Sequence, residues 1–145
     1  MKIIEVYNMA NLDNVVCECL VGIIPSHALI YVKHITCKEK VRPFCYIVLT
    51  NIVLTSNKIT GHYIVLIDYK DKFEIFDPLG KYCFRDINIK RFVFANNCII
   101  NKKSYQSKKS ISCAYYCLFY ISLRSRGVKR HKTAMYFKKK LMNIV

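Results

Sequence analysis

Proline and glycine are scarce in this chain, three and four among 145 residues. It therefore lacks Gly/Ser-rich or Pro-rich linkers and has no evident point of division into two domains. No internal repeat and no low-complexity tract interrupts it. Acidic residues stop at Asp86: residues 87–145 carry fourteen Lys and Arg without a single Asp or Glu, whereas residues 1–86 hold ten basic against nine acidic side chains. A basic half beside a balanced half suggests a face that meets polyanions, and a solvated surface from a Lys- and Ile-rich coding bias explains it equally well. Nothing resembles a base-reading motif, so contact with nucleic acid would be mainly to phosphates. Metal knuckles are missing as well. The eight cysteines offer only Cys17-x-Cys19 and Cys113-x-x-x-Cys117, and His27, His34, His62 and His131 are scattered, which argues against structural zinc. Met1-Lys-Ile-Ile-Glu5 breaks any leading apolar run, so neither a secretory leader nor a disulfide scaffold is expected. The apolar run Val15–Val32 contains Glu18, Pro25 and His27 and makes a poor membrane span. The expectation is a soluble, reduced, cytosolic or nuclear protein with no membrane partner.

What is present is apolar and aromatic: 53% hydrophobic and 13% aromatic residues describe a globular chain with one core over residues 1–145. Leu12, Val15, Val16 and Leu20 have helical spacing, ended by Gly22-Ile-Ile-Pro25. Ser26–Lys33 fits a helical turn or a strand. Thr36–Arg42 reads as a charged loop, Cys45–Thr50 as a buried strand, and Thr55–Lys58 as a turn between strands. Gly61–Tyr69 and Phe73–Asp77 are the arms of a hairpin joined at Lys70-Asp-Lys72. Phe84–Phe94 reads as a short helix with Asp86 near its start, Cys98–Asn101 is a short strand, and Lys129–Met142 is a basic C-terminal helix.

The remaining element organises the others. Ser110–Leu123, with Gln106 just ahead, reads as a loop feeding a buried helix that carries Cys113 in its first turn. Ser110 and Ser112 can cap it, Arg124 and Arg126 suit its carbonyl end, and Gly127 stops it. A thiol at a helix N-terminus sits in positive potential, which favours the nucleophilic thiolate. An apolar helix with cysteines at i and i+4 is also ordinary core, and Cys117 is read that way.

A cysteine hydrolase needs an imidazole beside the thiolate, a group to orient that imidazole, and donors for the oxyanion. His62 begins the first hairpin arm and Asp77 ends the second, so antiparallel pairing makes them neighbours across fifteen residues of sequence. Cys113 is then the nucleophile, His62 the base and acid, and Asp77 the orienting carboxylate. Gln106, with the Cys113 backbone N–H, is the candidate oxyanion donor. His27, His34 and His131 are weaker candidates for the base. Each residue also has a plain structural role open to it: a strand-start histidine, a turn aspartate before Pro-Leu-Gly, and a polar loop glutamine.

Gly61-His62-Tyr63, then Phe76-Asp77-Pro-Leu-Gly80, then Gln106 seven residues before Cys113, resembles the adenain-type cysteine endopeptidases, the adenovirus maturation protease family related to the SUMO-specific proteases. The order His, acid, Gln, Cys is that family's order, and Cys117 matches its second cysteine. Gly22-Ile-Ile-Pro25-Ser26 is similar to its N-terminal Gly-hydrophobic-x-Pro segment. The chain departs from the family at Tyr63, where Trp is usual, and at Ala114, where Gly is usual. The resemblance spans residues 20–126. It implies an α+β, papain-like fold whose central helix carries the nucleophile against an antiparallel sheet. It implies cleavage of viral capsid or core precursors after small residues of the diglycine type, in the host nucleus or cytoplasm and in the virion. No cofactor is expected beyond activation by DNA and a viral peptide, which the resemblance implies, with DNA meeting the basic C-terminal half. A deubiquitinase or SUMO-like protease uses the same catalytic parts, and an inactive basic virion protein can keep the same fold.

Overall fold

A computed structural model describes residues 2–32, 40–41, 43–50, 53–55, 58–59, 62–105 and 113–137. In chain order the elements are α1 (Ile3–Ala10), α2 (Asn14–Cys19), β1 (Leu20–Pro25), β2 (Phe44–Thr50), β3 (Val53–Thr55), β4 (Lys58–Ile59), β5 (His62–Asp68), β6 (Phe73–Phe76), α3 (Ile87–Ala95), β7 (Cys98–Ile100) and α4 (Cys113–Ser125). Short 3-10 turns cover Ser26–Tyr31, Lys81–Arg85 and Arg130–Lys132, and residues 133–137 are helical. The fold is mixed α+β. Five strands form one sheet in the order β1-β2-β5-β6-β7, and β3 pairs with β4 in a separate ribbon.

The sheet is not antiparallel throughout, as the sequence suggested. β2, β5 and β6 are antiparallel neighbours, but β1 joins β2 in parallel and β7 joins β6 in parallel. Long connections through Ser26–Tyr31 and through α3 make these two crossovers possible, because parallel neighbours cannot be joined by a tight turn. Gly22–Pro25, read as a helix stop, is therefore the edge strand, paired from Gly22↔Tyr46 to Pro25↔Leu49.

Alternation along the strands divides the core. Cys45, Ile47, Tyr63, Val65, Ile67 and Phe76 pack with α1, α2 and α4, while Tyr46, Val48, Ile64, Leu66, Phe73 and Ile75 pack with α3 and the Ser26–Tyr31 turn. Both faces are covered, which is why β2 and β5 read as unbroken apolar runs rather than alternating ones. Burying each large side chain contributes about 1.5–3 kcal/mol.

Helix α4 is central because eight of its thirteen residues are buried. Its end is a Schellman motif: Val128 N–H donates to the Leu123 carbonyl at 3.0 Å, and Gly127 N–H to the Arg124 carbonyl at 3.1 Å. Gly127 has φ +88°, the left-handed conformation that glycine adopts without a Cβ clash. Behind it, Arg124 forks onto Glu74, with Nε to Oε2 at 3.0 Å and Nη2 to Oε1 at 2.8 Å. Tyr120 donates to Glu74 Oε2 at 2.5 Å and Tyr69 donates to Oε1 at 3.2 Å. This satisfied network fixes α4 against β6 in rotation and register.

Asp13 caps α2 through Val15 N–H and Val16 N–H, and it also receives Arg126 and Ser122 from the end of α4. Asp86 caps α3 in the same way, so the helix expected over Phe84–Phe94 begins only at Ile87, and Phe84 and Arg85 belong to the preceding 3-10 turn. The capping serines proposed for α4, Ser110 and Ser112, lie outside the described residues. The helix expected over Lys129–Met142 starts as a 3-10 turn at Arg130–Lys132 and is helical over 133–137, and the rest of that expectation lies outside the described residues.

Candidate active site

The β5–β6 hairpin places His62 and Asp77 at its open end. Register runs from Asp68↔Phe73 to Val65↔Phe76, and the pairing beyond it brings His62 Nε2 within 2.5 Å of Asp77 Oδ1. Both side chains are sealed from solvent, at 1% and 0% exposure. A buried imidazole and a buried carboxylate need each other, since either alone would carry an unmet desolvation cost.

The acid is held on every side. Asp77-Pro78-Leu79-Gly80 closes a turn in which Gly80 N–H donates to the Asp77 carbonyl at 2.9 Å, and Leu79 N–H donates to Asp77 Oδ1 at 2.8 Å. Proline at the second position and glycine at the fourth suit such a turn. Cys83 N–H donates to Oδ2 at 2.6 Å. The carboxylate therefore accepts three hydrogen bonds, one of them from His62. Gly80 has φ +78°, and a Cβ there would stand 3.3 Å from the Lys102 carbonyl oxygen. The turn thus doubles as the cradle for residues 102–104. Beyond them, Tyr105 N–H donates to the Pro78 carbonyl at 2.7 Å.

Cys113 is the first residue of α4 and is 8% exposed, the least sealed of the three. Asp77 occupies Nε2 of His62, which leaves Nδ1 as the ring nitrogen for the sulfur. Burial pushes the Cys113 thiol up, but its hydrogen bond with His62, the Tyr63 and Ala114 backbone N–H groups and the His62 charge outweigh that, and the thiol lies below its ordinary value. For His62, burial works downward while Asp77 and Cys113 work upward, and the net result raises it from 6.5 to about 9. The two shifts, Cys113 down and His62 up, together favour thiolate with imidazolium.

Helix and strand are pinned beside this pair. Cys117 Sγ donates to the Tyr63 carbonyl at 3.3 Å, and burial raises its thiol well above the ordinary value. It is a neutral core group, as the sequence suggested. Thr50 Oγ1 donates to the His62 carbonyl at 2.9 Å. The Ala114 methyl is fully buried in the core cluster and leaves its own N–H facing the sulfur.

Of the four residues expected, the structure brings together His62, Asp77 and Cys113. Gln106 lies outside the described residues, although Tyr105 ends the preceding segment at the acid turn. Of the other histidines, His27 is exposed on the Ser26–Tyr31 turn, His131 is exposed on the Arg130–Lys132 turn beside Phe76 and Asn101, and His34 lies outside the described residues. Sequence reasoning missed Asn101. Its Oδ1 accepts Asp77 N–H at 2.7 Å, and its Nδ2 donates to the Asp77 carbonyl at 2.7 Å and the Lys103 carbonyl at 2.9 Å. Its one sequence signal is a polar amide directly after an apolar strand. Among the described residues no group of three or more His, Cys, Asp and Glu side chains is placed to hold a metal ion. No described helix is long and apolar enough to cross a membrane.

No family model matches this chain, and neither a curated protein nor a solved structure matches it significantly.

Proposed function

We propose that this chain is a cysteine endopeptidase with a papain-like arrangement of its catalytic parts. The Asp77–His62 hydrogen bond, with His62 acting on a Cys113 thiol that opens the buried helix, supports this reading. A histidine paired with a carboxylate is common; one that also lowers a thiol at a helix N-terminus is the requirement of nucleophilic catalysis.

In the reaction, Cys113 thiolate attacks the scissile carbonyl carbon and the carbonyl π pair moves to oxygen. Gln106, by its resemblance-based role, and a backbone N–H would meet that oxyanion. Imidazolium His62 gives its proton to the departing amine, leaving a thioester on Cys113. Neutral His62 then takes a proton from water, hydroxide adds to the thioester, and the acid product leaves with thiolate restored. Asp77 stays an acceptor throughout, holding Nε2–H so that Nδ1 faces the sulfur.

The substrate class follows the adenain-type resemblance: viral capsid or core precursors cut after small residues, in the host nucleus or cytoplasm and in the virion. The acid-free half supports association with DNA, and a viral peptide activator belongs to the same resemblance.

A peptide ending in Gly followed by a glycine replaced with an α,β-unsaturated methyl ester, to whose β-carbon a thiolate adds irreversibly, tests the reading. The expected result is a covalent adduct mapped to Cys113 and absent in Cys113→Ala. Precursor extracts should be cleaved by the unmodified chain and not by that variant. Cleavage of ubiquitin-like conjugates instead would transfer the same chemistry to a host substrate. No adduct and no cleavage, with packaging activity intact in Cys113→Ala, would leave a basic structural protein.

A further inference from the structure

On the far side of the acid turn lies a recess of about 420 Å³ lined by Lys102, Lys103, Arg130, His131, Phe76 and Tyr120, among others. The four basic residues are exposed and the two rings are buried, so the three cations, Lys102, Lys103 and Arg130, stand toward solvent above the rings with the His131 imidazole beside them. No Asp or Glu lines the recess, and none of the four makes an ion pair among the described residues. The basic side chains arrive from two separate segments, one after β7 and one before residue 133. They are not neighbours by sequence alone.

A concave site lined by charge of one sign focuses the field and gathers counter-ions. Its volume lies in the range of small-ligand sites, about 300–1,000 Å³. One phosphate, of charge about −1.5 to −2, would match at most two of the three charges on Lys102, Lys103 and Arg130 and leave the third without a partner. A nucleic-acid duplex carries its phosphates on a convex rod, and a recess reaches only a few of them. We propose that the recess binds a compact polyphosphate, with several phosphate groups on one small ring or short chain.

Asn101 also lines the recess. A single amide therefore holds both the Lys103 carbonyl and the backbone of Asp77. A ligand gripping Lys102 and Lys103 steadies the segment that positions the acid behind His62. This coupling rests on the protease reading; the binding site does not.

Calorimetric titration of the full chain with myo-inositol hexakisphosphate and with tripolyphosphate, at about 0.15 M ionic strength where exposed charges are screened, tests the site. Lys102→Gln/Lys103→Gln and Arg130→Gln should each weaken binding at least about tenfold, while Lys90→Gln/Arg91→Gln on α3 should change it by less than about twofold. Bound ligand should speed alkylation of Cys113 in the unmodified chain but not in the recess variants. Absence of binding, or equal losses in the recess and α3 variants, overturns the site. So does a duplex DNA that displaces the ligand and depends more strongly on the recess residues. Binding that follows the recess while Cys113 stays unlabelled in every sample upholds the site and overturns the protease reading with its coupling.

Discussion

At the scale of the residue, the site is a balance between burial and pairing. His62 would be held neutral by burial alone, and Asp77 and Cys113 reverse that. The proposed activity requires thiolate with imidazolium, so it should rise at a pH below the ordinary thiol range and fall through about pH 9 as His62 loses its proton. Asp77→Asn removes the largest upward influence on His62. The alkaline limb should then move to lower pH, and the rate should fall on the order of 10²–10⁴-fold. A pH–rate profile of the two proteins checks both. The same shift has a stability consequence. Because His62 is raised from 6.5 to about 9, its contribution is fully present below pH 6.5 and is lost as pH rises through 9. Much of this was legible in the sequence, since a hairpin with His62 and Asp77 at its open end can bring them nowhere else. Asn101 was not legible, because its partner lies 24 residues away across a parallel crossover that local pattern does not encode.

At the scale of the element, each piece is terminated by identifiable chemistry. The hairpin was readable from its charged connection, but its strain was not: Lys70 sits at φ +80°, in a region that costs an L-residue about 1–2 kcal/mol. Lys70→Gly should therefore stabilise the protein by roughly 1 kcal/mol in urea unfolding, after allowance for glycine's unfolded-state entropy. Glu74→Gln works in the opposite direction. It leaves Arg124 without a charged partner and should cost about 2–4 kcal/mol, since breaking one side of a buried pair is expensive. That change lies at the far end of α4, so the pH profile of Cys113 alkylation in the folded variant should be unaltered. Strand β1 escaped the sequence reading because Gly22 and Pro25 look like punctuation. Both are tolerated because β1 is an edge strand of the sheet.

At the scale of the whole molecule, one mixed sheet covered on both faces supports a site at one end and a charge gradient along the chain. Binding to duplex DNA through the basic half should weaken linearly in log–log form as salt rises, with a slope near −0.9 for each phosphate neutralised. A fluorescence-anisotropy titration across salt concentrations checks this, and a flat response would remove DNA as a partner. Composition made the asymmetry plain but could not show that Lys102, Lys103, Arg130 and His131 converge, because that depends on how 101–105 and 130–134 pack around Phe76. The account as a whole depends on one sulfur. Brief alkylation at about pH 6, where an ordinary thiol of reference pKa near 8.5 is almost wholly protonated, followed by peptide mapping, is its most direct test. Cys113 should label far ahead of the other cysteines, and His62→Ala should slow that labelling on the order of 10²-fold as the thiolate fraction falls. A folded protein in which Cys113 reacts no faster than Cys17, exposed on α2, would contradict the account.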